Sequence, residues 1–514
     1  MLCVLIKKEF IFLLDRSLAI CDFKYCKFFK EEAMKFAKQF TVILFIGFLL
    51  LSCSDKTTEP SYENGWQGSG TADDPYQIVH HQHLKAFADS VNAGIDYQNQ
   101  YFVMTANISL ADYQADGGWQ PIGHAVTDNI EIYSQNHNRA EPDSKFAGRD
   151  DWEEYPFKGT FDGNGYKINH LFIDRVETDP PGSMQGLFGF IKDAEIKNLE
   201  LEDINVGGLA YIGSLVGFAV SSNISECSVS GEISGNLAIG GLAGHIEETA
   251  VFDSYSDVDI IGISDVTTVQ EPSNIGGGLI GWAESSNIDN CNSTATVNVV
   301  GSAGGLIGGT TQSTVTNSYS NSEVDVHYTG GCLIGVAIAT SISNCNSAGS
   351  LSGDSDAIGG LVGRANNANI TISYSTSTVS GYDSVGGLIG LAELSTISNC
   401  YSIGEVTGSA ATGGLVGFNY GDSQIINSYS NGVTIADEDG GGLVGFNHDN
   451  ATVVNSYWDM ETSGQSTSAA GEGRTTDEMT YPYAENTYVD WDFEEIWAED
   501  MNHNINGGYP YLIE

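Results

Sequence analysis

Cations are what this sequence lacks. Of its 514 residues, 20 are Lys or Arg against 67 Asp or Glu, a formal net charge of −47. Residues 1–52 hold 8 of the cations and 5 of the acids, so the remainder carries 12 against 62, near −50. A surface of that sign repels nucleic acid and anionic lipid, which excludes a nucleic acid partner and suits a solvated extracellular face. Between Gly207 and Ser456 there is no lysine and a single arginine, Arg364. Proline is scarce at ten residues, whereas glycine reaches 62. No HExxH, P-loop or GxSxG motif occurs, so the commonest metalloprotease, nucleotidase and serine-hydrolase signatures are all missing.

Long apolar runs are also few, and the clearest is informative. Residues 34–53, MKFAKQFTVILFIGFLLLSC, join two lysines to an apolar run from Phe40 to Leu51. That is the form of a secretory signal, too short and wrongly flanked for a lasting transmembrane helix. Its end, Leu50-Leu51-Ser52-Cys53, resembles the bacterial lipobox. By that resemblance Cys53 is lipidated, becomes the mature N-terminus and ties the protein to the membrane, which implies an outer-membrane lipoprotein of the bacterial envelope facing outward. Residues 1–33 precede this signal and are expected to lie upstream of a true start at Met34. Residues 54–67 read as a polar tether.

The remaining chain is repetitive. Gly-Leu-apolar-Gly recurs with its leucine at Leu187, Leu215, Leu242, Leu279, Leu306, Leu333, Leu361, Leu388, Leu415 and Leu443. The spacing is 27 or 28 residues except for one gap of 37, where residues 262–273 form an insertion. About ten residues after each glycine pair comes Asn-(Ser/Cys)-(Tyr/Asn)-Ser, as in NCYS at 399. From Cys400 onward, Cys400, Ser402, Gly404 and Val406 share one parity while Tyr401, Ile403 and Glu405 share the other, and a period of two means a strand. Ile397 keeps the inward parity only if the chain bends at Asn399, a residue type that tolerates the left-handed conformation.

One unit cannot bury its own apolar face, but stacked units share a core and pair every strand with its neighbours. The expected fold is all-β, a parallel solenoid of about ten 27–28-residue coils over residues 187–457, right-handed as parallel crossovers usually are. Gly-Leu-Val-Gly, Ile-x-Asn and Cys-Tyr-Ser-x-Gly-x-Val would be its three extended pieces. Residues 68–186 should form an N-terminal cap with the first coils, and residues 458–514 a C-terminal cap in which an aromatic tail packs over the last coil. The column Cys227, Ser254, Cys291, Ser318, Cys345, Ser373, Cys400 then points inward. Cysteines in alternate coils would lie about 9.6 Å apart by the usual strand spacing, beyond disulfide reach.

The motifs GSGTADDPYQI at 68, WQPIG at 119, FKGTFDGNG at 157, the ten repeats, SYWDMETSGQS at 456 and the closing GGYPYLI resemble proteins carrying GLUG motifs. The resemblance implies a bacterial surface-exposed β-solenoid, sometimes attached to adhesins or secreted peptidases, and offers no catalytic residues. Cys332, where most units have glycine, departs from the pattern.

Chemistry is sparse. A lyase acting on uronates needs a strong base and cations that this array does not carry. A hydrolase needs two carboxylates at fixed separation, whereas Asp257, Asp259, Glu323, Asp325 and Glu405 are scattered. Asp354, Asp356, Asp437 and Asp439 sit in turns, where such pairs could bridge calcium, but their spacing matches no calcium motif. His80-His81-Gln82-His83 reads as an exposed helix start, so no metal or other cofactor is assigned. The outward column beside the cysteines stands out: Tyr374, Tyr401, Tyr429 and Tyr457 occupy consecutive coils and should form an exposed ladder. Such rings suit a glycan or a partner protein surface, though they also stabilise their own sheet. The expectation is a non-enzymatic adhesin or ligand-binding protein, with a carbohydrate-active enzyme on a β-helix as the alternative.

Overall fold

The structure, a computed structural model, describes residues 66–126, 153–176, 183–263, 274–354, 356–438 and 440–513. Cys53, the signal, the upstream residues and Asp439 lie outside the described residues.

The repeat containing Cys400 shows how sequence becomes coil. Its strands are Val385–Gly386, Ile389–Glu393, Thr396–Ser402 and Val406–Gly408. Each pairs in parallel with its counterpart one repeat on: Val385 with Thr412, Ile389 with Val416, Ile397 with Ile425, Tyr401 with Tyr429 and Val406 with Thr434. The chain is therefore an all-β parallel solenoid with two ten-stranded sheets and one larger sheet. Parallel pairing puts like over like, so every inward position becomes an apolar column. Ile342, Ile370, Ile397 and Ile425 form one such column and are wholly buried.

The ten Gly-Leu repeats supply the ten strands of each smaller sheet, yet the larger sheet has about thirteen turns rather than ten. It continues N-terminally through Thr160–Asp162, Tyr101–Met104 and Tyr76–Ile78, with Ile196 over Phe161, Phe102 and Tyr76 in turn. These turns lack the glycine corner and fill their centre with phenylalanine, so counting glycines does not find them. Helix α1, His81–Asn92, sends Leu84, Phe87 and Val91 into the same core, and Phe87 lies 4.3 Å from Phe102 between ring centroids. Among the described residues no helix is long and apolar enough to cross a membrane.

Two corners explain the motif. Gly387-Leu388 is a bend between the two ten-stranded sheets, not part of a strand, and Leu388 points into the core. A Cβ on Gly387 would sit 2.2 Å from the Gly414 carbonyl, and one on Gly390 2.4 Å from the Ile358 nitrogen. Backbone meets backbone at both places, so glycine prevails at the first position and stands in all ten repeats at the second. Cys332 occupies the position of Gly387 without disturbing pairing, since Gly331 still registers with Gly359. The inward Ser347 of that coil turns its hydroxyl to the Gly360 carbonyl.

At the second corner Asn399 has φ 54°, the left-handed conformation expected there, and Asn290, Asn317, Asn344, Asn427 and Asn455 share it. The bend carries the next amide away from the strand ladder, and a hydroxyl in the following coil recovers it. Cys400 N–H donates to Ser428 Oγ at 3.2 Å, and Ser428 Oγ donates to its own Ile426 carbonyl at 2.8 Å. Cys227, Cys291 and Cys345 repeat the arrangement with Ser254, Ser318 and Ser373. Buried amides without partners cost roughly 1–3 kcal/mol each, so the serines of this column are structural. The five described cysteines are free and buried.

Candidate functional site

The tyrosine column forms as a ladder over part of its length. Tyr374 and Tyr401 stack with centroids 4.7 Å apart and planes at 0°, and Tyr401 and Tyr429 follow at 5.1 Å and 8°. Tyr457 registers with Tyr429 through the backbone, but its ring packs against Tyr488 and Trp491 instead.

The expected exposure does not hold. Tyr401, Tyr429 and Tyr457 are 6%, 0% and 2% exposed, because the C-terminal tail runs back along the outward face of the last coils rather than only closing the end. Trp491 donates its indole N–H to the Asn455 carbonyl at 2.9 Å, and Trp497 reaches Asn399 Oδ1 at 3.4 Å. Tyr509 stacks on Tyr429 at 6.0 Å, and the Tyr429 hydroxyl donates to the Pro510 carbonyl while accepting from the Asn506 amide. A column of large rings exposes much apolar area, and an aromatic-rich segment gains most by covering it. Burial holds the Tyr429 and Tyr488 phenols well above their ordinary value. These three tyrosines thus belong to a second core outside the solenoid, and of them Tyr401 alone borders a cleft.

Tyr374 is different. It is half-buried and, with tail residues, lines a cleft of about 650 Å³. The solenoid side of the cleft is a row of left-handed asparagines with Asn346, Thr376 and Ile403, and the tail side is Asn506, Tyr511, Leu512 and Ile513. Asn344 donates to Asn317 Oδ1 at 2.6 Å, and Asn317 in turn donates to Asp289 at 2.6 Å. Among the described residues no charged side chain lines the cleft. Its one thiol, Cys345, is pushed up to about 12 by burial, so it is protonated and inert at neutral pH.

The other sequence candidates stay apart. Asp257, Asp259, Glu323, Asp325 and Glu405 are exposed single residues along the rod. Asp354 meets His327 at 3.3 Å, and Asp356 and Asp437 are exposed turn residues. The histidine run is only partly an exposed start. His80 caps helix α1 by accepting from His83 N–H, and His83 is buried, with its pKa lowered by that burial. Among the described residues no group of three or more His, Cys, Asp or Glu could hold a metal ion.

Residues 273–298, 381–407 and 408–436 match the GLUG motif, so the resemblance read from the repeats holds at three of them. The chain is 29% identical over 186 residues to a halomucin of Haloquadratum walsbyi, covering 35% of this chain and 2% of that protein. It is 31% identical over 166 residues to a Gly-rich membrane protein of Evansella cellulosilytica, covering 31% of this chain and 15% of that one. The chain therefore spans only a small part of these relatives. A solved chain named as an immunoglobulin A1 protease from Bacteroides ovatus aligns over 87% of this chain and 94% of its own, at 15% identity and a TM-score of 0.31. A second, named IgA1 protease, aligns over 78% of this chain and 23% of its own, at 14% identity and a TM-score of 0.32.

Proposed function

For a chain that carries GLUG repeats on a parallel β-solenoid, we propose a role as a lipid-anchored, outward-facing adhesin or ligand-capture protein of the bacterial envelope that retains its ligand rather than transforming it. The anchor is Cys53, the solenoid is a rigid acidic spacer, and the contact is the cleft at Tyr374. The names of the relatives, a halomucin and a membrane protein, fit a place at the cell surface or membrane.

The observation that carries this reading is the composition of the cleft. An aromatic ring, amides and hydroxyls converge there, while the described lining residues include no carboxylate or imidazole to move a proton. Small-molecule sites combine apolar walls with a few placed polar groups in this way, within roughly 300–1,000 Å³. The test is binding of the full chain to arrayed glycans and extracellular host proteins, with products analysed in parallel. Retention without turnover, lost in Tyr374→Ser, is the expected result. Turnover of a polysaccharide would instead favour the carbohydrate-active enzyme, and binding indifferent to Tyr374 would refute the site.

A further inference from the structure

The outward column carries Tyr319, Asn346 and Tyr374 on three successive rungs. On the C-terminal side of Tyr374 the next rung holds another ring, Tyr401, parallel and 4.7 Å away. On the N-terminal side the next rung holds Asn346, whose side chain is shorter than tyrosine by a whole ring, and the cleft opens there. Because successive rungs are about 4.8 Å apart, a ring seated over Asn346 would face Tyr374 at the separation the ladder already uses. We infer that the cleft binds one ring of a neutral glycan, stacked on Tyr374 over Asn346 and continuing the aromatic column. This inference rests on the ligand-capture reading and specifies what is captured.

Three features select a neutral sugar. A pyranose has an apolar face and a rim of hydroxyls; Tyr374 and Ile403 offer the face, and Asn344, Asn346 and Thr376 offer amides and a hydroxyl for the rim. Among the described residues the lining has no cation to hold a carboxylate or sulfate, and the whole chain has a formal net charge of −47. A peptide strand finds no edge to extend, because the backbone here is already paired coil to coil. Asn346 N–H donates to the Ser318 carbonyl, Tyr374 N–H to Cys345 and Thr376 N–H to Ser347.

The discriminating variant is Asn346→Tyr, which fills the rung with the residue its neighbours use. The full chain is assayed against immobilised cellulose, xylan, mannan and starch, with polygalacturonate and hyaluronan as anionic probes. Asn292→Tyr, the equivalent change two rungs away and outside the cleft, is the control. The inference predicts binding to at least one neutral polysaccharide, weakened tenfold or more by Asn346→Tyr and by Tyr374→Ser, and unchanged in Asn292→Tyr. Melting temperature and β circular dichroism of Asn346→Tyr should stay at or above wild type, which separates a blocked site from a misfolded one. If Tyr374→Ser abolishes binding but Asn346→Tyr does not, the ligand does not occupy that rung; the inference fails and the ligand-capture reading survives. Binding confined to the anionic probes or to proteins overturns the neutral-glycan class. Binding untouched by either cleft variant overturns the inference and the Tyr374 site together.

Discussion

Tyr374 and Tyr401 are parallel neighbours 4.7 Å apart, yet the tail buries Tyr401 and leaves Tyr374 half-exposed beside a cleft. One residue type in one column thus has two environments, set by which rungs the aromatic tail covers.

Trp497 is the centre of that cover. It is wholly buried, 4.4 Å from Trp491 and 6.0 Å from Tyr429 between ring centroids. Trp497→Ala should cost about 3–5 kcal/mol and uncover Tyr401 and Tyr429. Denaturant titration gives the first quantity, and tyrosine iodination mapped by mass spectrometry tests the second. A tail that merely drapes the ladder would leave both unchanged.

Ser428 serves Cys400 rather than a ligand. Ser428→Ala removes the acceptor of a buried amide and is expected to destabilise by about 1–3 kcal/mol. Ser428→Thr, which keeps the hydroxyl, should recover most of the loss. The comparison is made by urea midpoint at constant m.

The five buried thiols should be silent toward iodoacetamide in the native chain and reactive after denaturation. Burial pushes each up to about 12, whereas an unfolded thiol titrates near ~8.5. The folded state therefore keeps protons that the unfolded state releases. The associated stability is fully present below pH ~8.5 and is lost as pH rises toward the folded value. Alkaline melting curves that stay flat between pH 9 and 11 would contradict this assignment.

Ile372 stands where the adjacent coils place Asn344 and Asn399, with φ 49°. A β-branched residue in the left-handed region costs roughly 1–3 kcal/mol, partly offset here by contact with the aromatic cluster. Ile372→Asn should raise stability by up to about 1 kcal/mol, the strain relieved exceeding the half-buried apolar area lost. A fall in the urea midpoint would mean that packing dominates.

The solenoid was legible because its corner is sterically enforced. Gly387 and Gly390 touch neighbouring backbone, so glycine recurs at the first position in most repeats and at the second in all ten, and the period appears in the sequence. Phe102 and Phe161 build turns on the same axis without that corner, which hides them from a glycine count. The left-handed bend at Asn399 followed from the parity of Ile397 against Cys400, a purely local signal. The fate of Tyr401 did not, because it depends on Trp497, 96 residues onward, and no periodicity in the tail indicates where it docks. Asn346 was visible as the asparagine between two tyrosines. Its place in a cleft depends on Asn506, Tyr511 and Leu512 of the tail, which wall it from the other side.

Everything depends on equivalent residues of successive repeats lying one rung apart, and spin-label distances measure that directly. Glu232, Asp259, Thr296, Glu323, Ser350 and Thr378 are successive members of one outward column. Labels at cysteines replacing Glu232 and Thr378, in a chain with Cys3, Cys21, Cys26 and Cys53 changed to serine, should give one narrow distance near ~24 Å, five strand spacings. Moving the first label to Asp259 should shorten it by about 4.8 Å. A broad distribution, or a distance that does not step with the repeat, would contradict the stacked column and the site built on it.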